Sequence, residues 1–322
     1  MAVVKRIMAC VDLSEHSKET LSYALALAGG FQAEVIIYTV INIRDVEAVR
    51  KASRFYPDLI NVENYQEAVK ADRHEQIEKM LQAESASEKA EVSILVGVGV
   101  PFKEILDAIK GEQIDLVVLG AKGRTNVAGP FFGSVAEKVF RYSAVPVVSV
   151  RNREISDRNA QPGGSVMFGI ERITAAVDLS DYSLSVIAYA AEIAEKCAAE
   201  ITVVNVISRK FVDVVEKVYN DQHPDQFSQK KFINDETHRR TQNLQELISQ
   251  YIPKEVPARA IVRSGTPFEE IIGTAVDDKA DLLVVAPKGR SNLPDYLFGT
   301  TTEKIFRHAP MSVLRVSLMK DA

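Results

Sequence analysis

Two short stretches of sequence decide how the chain is organised. Residues 6–14 read RIMACVDLS and residues 172–180 read RITAAVDLS, with seven of nine positions identical, so that Arg6 corresponds to Arg172. The same shift relates two further pairs of segments, 99–104 with 265–270 and 137–141 with 303–307. Solenoid units have only about 20–50 residues, so a repeat of this length indicates a duplicated domain.

The length of the chain agrees with a duplication. Its 322 residues fit two domains, since a domain usually has about 100–200 residues. Residues 152–169 are mostly polar and contain Pro-Gly-Gly, a composition typical of linkers. We therefore predict a first domain at 1–151, a linker at 152–169 and a second domain at 170–322.

Composition excludes several classes of protein. Hydrophobic residues make up 46% and charged residues 26%, as in ordinary globular proteins, and the net charge of −5 provides no global basic field for nucleic acid or an anionic membrane. The longest apolar run, 94–102, is about half of the ~20 residues that a membrane helix needs. The N-terminal sequence has no secretory signal pattern, so we expect a cytoplasmic protein. Cys10 and Cys197 form neither a disulfide framework nor a metal-binding motif.

Within each half, short apolar runs alternate with helical periodicity. The runs are rich in Val and Ile and apolar throughout, as in parallel strands buried on both faces. The pattern βαβαβαβαβ with right-handed crossovers predicts a doubly wound α/β domain, repeated in the second half. In the first half, strands are predicted at 4–12, 34–41, 92–98, 114–120 and 145–150, and helices at 17–29, 62–84, 101–109 and 134–141.

Open parallel sheets bind ligands at the carboxyl ends of their strands, so the residues after strands one and four are the candidates for a site. Asp12 ends strand one. The helix after strand four begins behind Gly133 and Ser134, where free N–H groups and the positive end of the helix dipole favour an anion.

The loop between strand four and that helix has the composition of a phosphate site. Gly120 and Gly123 allow backbone N–H groups to approach a polyphosphate closely, and Lys122 and Arg124 supply local positive charge. The sequence is neither GxxxxGK[ST] nor GxGxxG.

The spacing glycine, two residues, glycine, nine residues, glycine, Ser or Thr resembles the ATP-binding branch of the universal stress protein family, and the resemblance covers both halves. It implies a five-stranded parallel sheet of order 3-2-1-4-5 in each domain, with helices on both faces. It also implies ATP as the ligand, with any Mg²⁺ held mainly through the phosphate oxygens. The aspartate after strand one would lie by the adenosine, and a backbone group of strand two would recognise adenine. In the first half the implied nucleotide residues are Asp12, Val40, Gly120, Lys122, Gly123, Arg124, Gly133, Ser134 and Val135.

The second half departs from this pattern at one place. Ala286-Pro287 replaces Gly120-Ala121, which adds a methyl group near the expected ribose and removes one N–H donor. ATP is therefore expected first of all in the first half. The corresponding residues of the second half are Asp178, Val206, Lys288, Gly289, Arg290, Gly299 and Thr300.

Other interpretations stay open at this stage. Asp12 with Glu15, and Asp178 with Asp181, match capping boxes, so each aspartate could simply begin a helix. The fold could also serve as a nucleotide-free scaffold for dimerisation or for a protein partner, with 44–84 and 210–250 as candidate surfaces. No Ser/His/Asp arrangement is visible, and the loop after strand one is not the Ser-Gly-Gly-x-Asp-Ser type of ATP pyrophosphatases, so a regulatory protein, at most a slow ATPase, is favoured over an enzyme. The two halves are expected to pair through their last strands as an intramolecular pseudo-dimer, with a homodimer of chains as a further option.

Overall fold

The computed structural model describes residues 4–84, 90–121, 133–151, 169–223, 226–288 and 299–318. The chain divides into two compact units, Ala2–Ile155 and Ser156–Ala322. The predicted domain limits and the predicted pairing of the halves through their last strands stay predictions.

The first unit alternates strands and helices as the sequence predicts. Its helices α4 and α5 begin at Pro101 and Ser134, as predicted, and a proline is well tolerated in the first helical turn. The elements are β1 (Arg6–Cys10), α1 (Ser17–Phe31), β2 (Glu34–Asn42), α2 (Ile43–Ser53), α3 (Val62–Gln82), β3 (Val92–Gly99), α4 (Pro101–Gly111), β4 (Leu116–Gly120), α5 (Ser134–Tyr142) and β5 (Val147–Val150).

The sheet of the first unit is parallel throughout. β1 lies between β2 and β4, β3 pairs with β2, and β5 pairs with β4, which gives the order 3-2-1-4-5. The predicted doubly wound α/β fold is confirmed. Strand order reverses beside β1, so the crevice where such sheets bind ligands lies at the carboxyl ends of β1 and β4.

Some strands are shorter than the apolar runs that predicted them. The run at 4–12 forms a ladder only over Arg6–Cys10, although Val4 and Val11 are also buried. One carboxylate oxygen of Asp115 accepts the N–H groups of Lys5 (2.8 Å) and Arg6 (3.0 Å), which fixes where the strand begins. Hydropathy reports burial, and burial continues beyond the last ladder hydrogen bond.

The second unit repeats the first. β6 lies between β7 and β9, β8 pairs with β7, and β10 pairs with β9, all parallel. The elements are β6 (Arg172–Ala176), α6 (Tyr182–Cys197), β7 (Glu200–Ser208), α7 (Arg209–Gln222), α8 (Gln229–Tyr251), β8 (Ala258–Gly265), α9 (Pro267–Asp277), β9 (Leu282–Val285), α10 (Thr300–His308) and β10 (Ser312–Arg315).

Candidate functional site

A cavity of about 430 Å³ opens at the carboxyl edge of the first sheet. Lys122, Gly123 and Arg124 lie outside the described residues. The other candidate residues of the first half all line this cavity: Asp12, Val40, Gly120, Gly133, Ser134 and Val135.

Asp12 holds the turn that leaves β1. Its Oδ1 accepts the backbone N–H of Ser14 (3.0 Å) and the hydroxyl of Ser17 (3.1 Å), and Leu13 between them has a left-handed φ of 62°. The residue before α1 is His16, which makes no side-chain cap hydrogen bond. The capping-box interpretation of Asp12 is therefore wrong, because this carboxylate closes a turn one step earlier in the chain.

The second unit has the same turn. Asp178 Oδ1 accepts the N–H of Ser180 (3.1 Å) and the Ser183 hydroxyl (3.4 Å), and Leu179 has a φ of 61°. Helix α6 begins after Asp181, again without a side-chain cap. The capping interpretation is wrong for Asp178 as well.

The backbone of Val40 meets the cavity just beyond the end of β1. The carbonyl of Tyr38 accepts the N–H of Val11 (3.0 Å) on the β1 side of β2. Backbone groups two residues apart on a strand face the same side, so Val40 presents its own to the crevice where β1 has ended. This is where a base would find backbone donors and acceptors.

Arg73 is a site residue that the sequence analysis missed. It extends from α3, is 93% buried, and its Nη1 donates to Thr39 Oγ1 (2.9 Å) and to the carbonyl of Val40 (2.8 Å). Its only signal in the sequence is helical spacing: Arg73 and Ile77, four residues apart, are the buried residues of α3. An arginine on the inner face of a helix has to find acceptors, and these lie on β2.

The first turn of α5 forms the opposite wall. Gly133 donates its N–H to the carbonyl of Ala121 (3.1 Å), which holds the helix start beside the end of β4. Gly133 has no side chain with which to cap α5, so the first N–H groups of the helix lie at the cavity together with Ser134.

The second unit has a corresponding cavity of about 410 Å³. Gly289 and Arg290 lie outside the described residues. The Thr302 hydroxyl donates to the carbonyl of Ala286 (2.8 Å), and the N–H of Gly299 donates to the carbonyl of Pro287 (3.0 Å). The candidate residues that line this cavity are Asp178, Val206, Lys288, Gly299 and Thr300.

Arg240 of α8 corresponds to Arg73. Its Nη1 donates to Asn205 Oδ1 (2.9 Å) and to the carbonyl of Val206 (3.2 Å). The shift between the two arginines is one position larger than the shift between the strands that they contact. Both cavities therefore have an arginine fixed on the carbonyl of the residue that the family resemblance assigns to the base.

Comparison with known protein families decides the classification. The family model described as "Universal stress protein family" matches the chain twice, over residues 4–151 and 169–317. The chain belongs to the universal stress protein family.

Individual relatives each match about half of this tandem universal stress protein. Universal stress protein MJ0577 of Methanocaldococcus jannaschii is 27% identical over 161 residues, which cover 46% of this chain and 96% of the relative. A universal stress protein of Thermus aquaticus is 31% identical over 156 residues, covering 46% and 98%. Among solved structures, a universal stress protein from Archaeoglobus fulgidus covers 99% of this chain and 98% of its own, with 21% identity and a TM-score of 0.66. This last likeness shows the fold.

Burial controls the ionisable groups on the inner wall of the first universal stress domain. Burial raises the pKa of the Cys10 thiol to about 12. It is also the main cause that raises the pKa of Tyr38 to about 12, with the Glu104 carboxylate as the next contribution. Both side chains line the cavity and are protonated at neutral pH, so this wall carries no negative charge that would repel an anionic ligand.

The described part of the chain contains no cluster of His, Cys, Asp and Glu side chains suited to a metal ion. Within the same residues, no helix has the length and apolar character needed to cross a membrane.

Proposed function

We propose that this universal stress protein is a cytoplasmic regulatory protein whose first domain binds ATP. The observation that supports the proposal best is that one cavity gathers the carboxylate of Asp12, the backbone of Val40 and the start of α5. These groups correspond to three parts of a nucleotide: the ribose hydroxyls, the base edge and the phosphates. A volume of about 430 Å³ lies in the usual range for small-molecule sites, about 300–1,000 Å³.

The same groups indicate binding in preference to turnover. Asp12 is engaged in its turn, and the first turn of α5 offers N–H donors, which stabilise phosphate charge but accept no proton. We propose that ATP acts by favouring one state of the protein over another and that hydrolysis is at most slow. Mg²⁺ would enter with the phosphates, held mainly by their oxygens.

Two measurements test the proposal. Native mass spectrometry of the purified chain is expected to detect bound ATP or ADP, and calorimetry to detect ATP binding to the stripped protein. Asp12→Asn retains an oxygen for the Ser14 and Ser17 hydrogen bonds but removes the charge. The expected loss of affinity is roughly tenfold or more, because a hydrogen bond to a charged group contributes about 1.5–3 kcal/mol.

Asp178→Asn makes the same change in the second domain and is the matched control. It should leave the first-domain affinity for ATP within experimental error. A wild-type protein that is nucleotide-free and shows no binding at millimolar ATP would refute the proposal.

A second candidate function is an interaction scaffold. The connection between α2 and α3 exposes three large apolar side chains, with Phe55 80%, Tyr56 59% and Leu59 83% exposed. Exposed apolar groups that lie together are typical of protein contact surfaces. If a Phe55→Ser, Leu59→Ser double variant abolishes self-association or partner capture while Asp12→Asn changes neither, the scaffold is the better description.

A further inference from the structure

A buried polar network lies at the base end of the second cavity. Asn205 is 98% buried; its Nδ2 donates to the carbonyl of Val177 (2.8 Å) and its Oδ1 accepts from Arg240 Nη1 (2.9 Å). Arg240 Nη1 also donates to the carbonyl of Val206 (3.2 Å), and its Nε donates to Glu236 Oε2 (2.9 Å). Bonds to two strands and to its own helix hold the guanidinium in one position.

An arginine side chain has five N–H donors, and the network uses three of them. The N–H of Nε is engaged by Glu236, and the two N–H groups of Nη1 by Asn205 and Val206. Among the described residues, none accepts a hydrogen bond from Nη2. Arg240 is 94% buried and lines the cavity, so the cavity is where an acceptor can reach Nη2.

The charge around Arg240 indicates what kind of acceptor this is. Hydrogen bonds from Arg239 and Arg240 lower the pKa of Glu236, so its carboxylate is ionised and offsets the charge of Arg240. A compensated guanidinium has less need of a second anion, and its remaining donors suit a neutral carbonyl oxygen.

Phe211 indicates the shape of the ligand. Its ring lines the cavity, is partly exposed, and has its centroid 5.4 Å from the guanidinium carbon of Arg240. A planar base whose edge accepts from Arg240 would have this aromatic ring beside it as a stacking surface. The combination fits an aromatic ring that carries a carbonyl oxygen on its edge.

The first domain has none of these three partners at the corresponding positions. Thr39 stands where the second domain has Asn205, Asp45 where it has Phe211, and Val69 where it has Glu236. The arginine is shared, but its surroundings differ. Two cavities of similar size therefore present different chemistry to a base.

We propose that the second cavity binds nucleotides whose base carries a 6-oxo group, such as guanine or hypoxanthine, in preference to adenine, and that Arg240 Nη2 recognises the oxygen. Arg240 is then a specificity-determining residue. An adenine in the same position would bring its amino group, a donor, against a donor. The proposal deepens the proposed function, since it takes the carboxyl edge of the second sheet as a nucleotide site.

The test compares inosine monophosphate with adenosine monophosphate, which share ribose and phosphate and differ at position 6 of the purine. Each is titrated into the full chain to millimolar concentration, and hydrogen–deuterium exchange reports on peptides covering β7 (second domain) and β2 (first domain). Protection of β7 is expected at a concentration of inosine monophosphate at least about tenfold lower than of adenosine monophosphate. Equal or tighter binding of adenosine monophosphate at β7 overturns the proposal.

Variants identify the residue responsible. Arg240→Lys retains a positive charge opposite Glu236 but has a single nitrogen, and it should bring the two ligands to similar affinities at β7. Arg73→Lys is the matched control in the first domain and should leave the preference at β7 unchanged. Phe211→Asp introduces the residue type found at position 45; it should weaken both ligands and keep their ratio. A preference that survives in a folded Arg240→Lys variant overturns the role of Arg240.

The outcomes separate this inference from the proposed function. If neither monophosphate protects β7 while ATP protects β2, the inference fails and the proposed function stands. If ATP leaves β2 unprotected while inosine monophosphate protects β7, the proposed function fails and the inference stands. If Arg240→Lys does not fold, the wild-type comparison of the two monophosphates still decides, because it requires no variant.

Discussion

The contact between Tyr38 and Gly97 on neighbouring strands gives a prediction about the wall of the first cavity. Tyr38 lies on β2 and Gly97 on β3. A Cβ added at Gly97 would overlap the phenol oxygen of Tyr38 and lie 3.0 Å from the ring carbon that carries it. Gly97→Ala therefore forces the ring to move.

The size of the effect follows from two opposing contributions. Glycine to alanine in a strand gains about 0.5–1 kcal/mol, because alanine loses less conformational entropy on folding. Overpacking of a buried contact costs about 1–3 kcal/mol. We expect Gly97→Ala to destabilise the first domain by about 0.5–2 kcal/mol.

A double-mutant cycle isolates the contact. The second domain has Val204 and Arg263 at the corresponding positions, so this strand pair accepts a side chain where its partner is small. In a Tyr38→Val background, Gly97→Ala should be neutral or stabilising, which gives a coupling energy of about 1–3 kcal/mol. Urea unfolding measures stability, with hydrogen exchange of the β2 and β3 amides reporting on the first domain alone.

The control is Gly29→Ala in α1, where nothing lies within 4 Å of the added Cβ. It should stabilise the same domain by about 0.5–1 kcal/mol. If Gly97→Ala has the same effect with Tyr38 and with Val at position 38, the phenol does not limit the space at Gly97 and the reasoning is refuted.

Three further predictions concern buried groups and helix ends. Burial raises the pKa of the Cys10 and Cys197 thiols to about 12, so Ellman's reagent at pH 8 should leave both unmodified in the folded chain and modify both in denaturant. The folded state retains protons that the unfolded state releases above pH 9; the stability from these thiols is therefore present below pH 9 and lost as the pH rises to about 12, and a Cys10→Ala, Cys197→Ala variant should show a shallower alkaline loss. Asn61→Ala removes the side-chain oxygen that accepts the N–H of Asn64 (2.9 Å) at the start of α3, and urea unfolding should show a loss of about 1 kcal/mol. Gly273→Ala in α9, where an added Cβ meets nothing within 4 Å, should raise the stability of the second domain by about 0.5–1 kcal/mol.

The sequence alone was sufficient for the fold and for part of the site, because both depend on local patterns that are repeated. Apolar runs and helical stripes placed the strands and helices, and the repeated Val-Asp-Leu-Ser placed Asp12 and Asp178 at equivalent turns. What local spacing could not decide was the use of each carboxylate. A D-x-x-E spacing matches a capping box, yet Asp12 bonds to Ser14 and Ser17 and leaves the helix start to His16.

The arginines were missed for a different reason. The shift that relates β1 to β6 pairs Arg73 with Arg239, whose side chain is 56% exposed, whereas the buried counterpart is Arg240. The one-position difference is confined to the helices, since strands β3 and β8 return to the original shift. Strand register is fixed by ladder hydrogen bonds on both sides, while helices joined by loops can absorb an extra residue. The acceptors of Arg73 also lie on a different element, β2, much earlier in the chain and beyond the reach of any local pattern.

The turn after the first strand of each domain has a consequence for how fast a ligand can associate. Leu13 and Leu179 hold a left-handed conformation, which disfavours an L-residue by roughly 1–2 kcal/mol, and the adjacent aspartate keeps it there. That energy is spent during folding, before any ligand arrives. A molecule approaching this edge therefore meets a carboxylate already fixed in direction, and its encounter need not wait for the turn to rearrange.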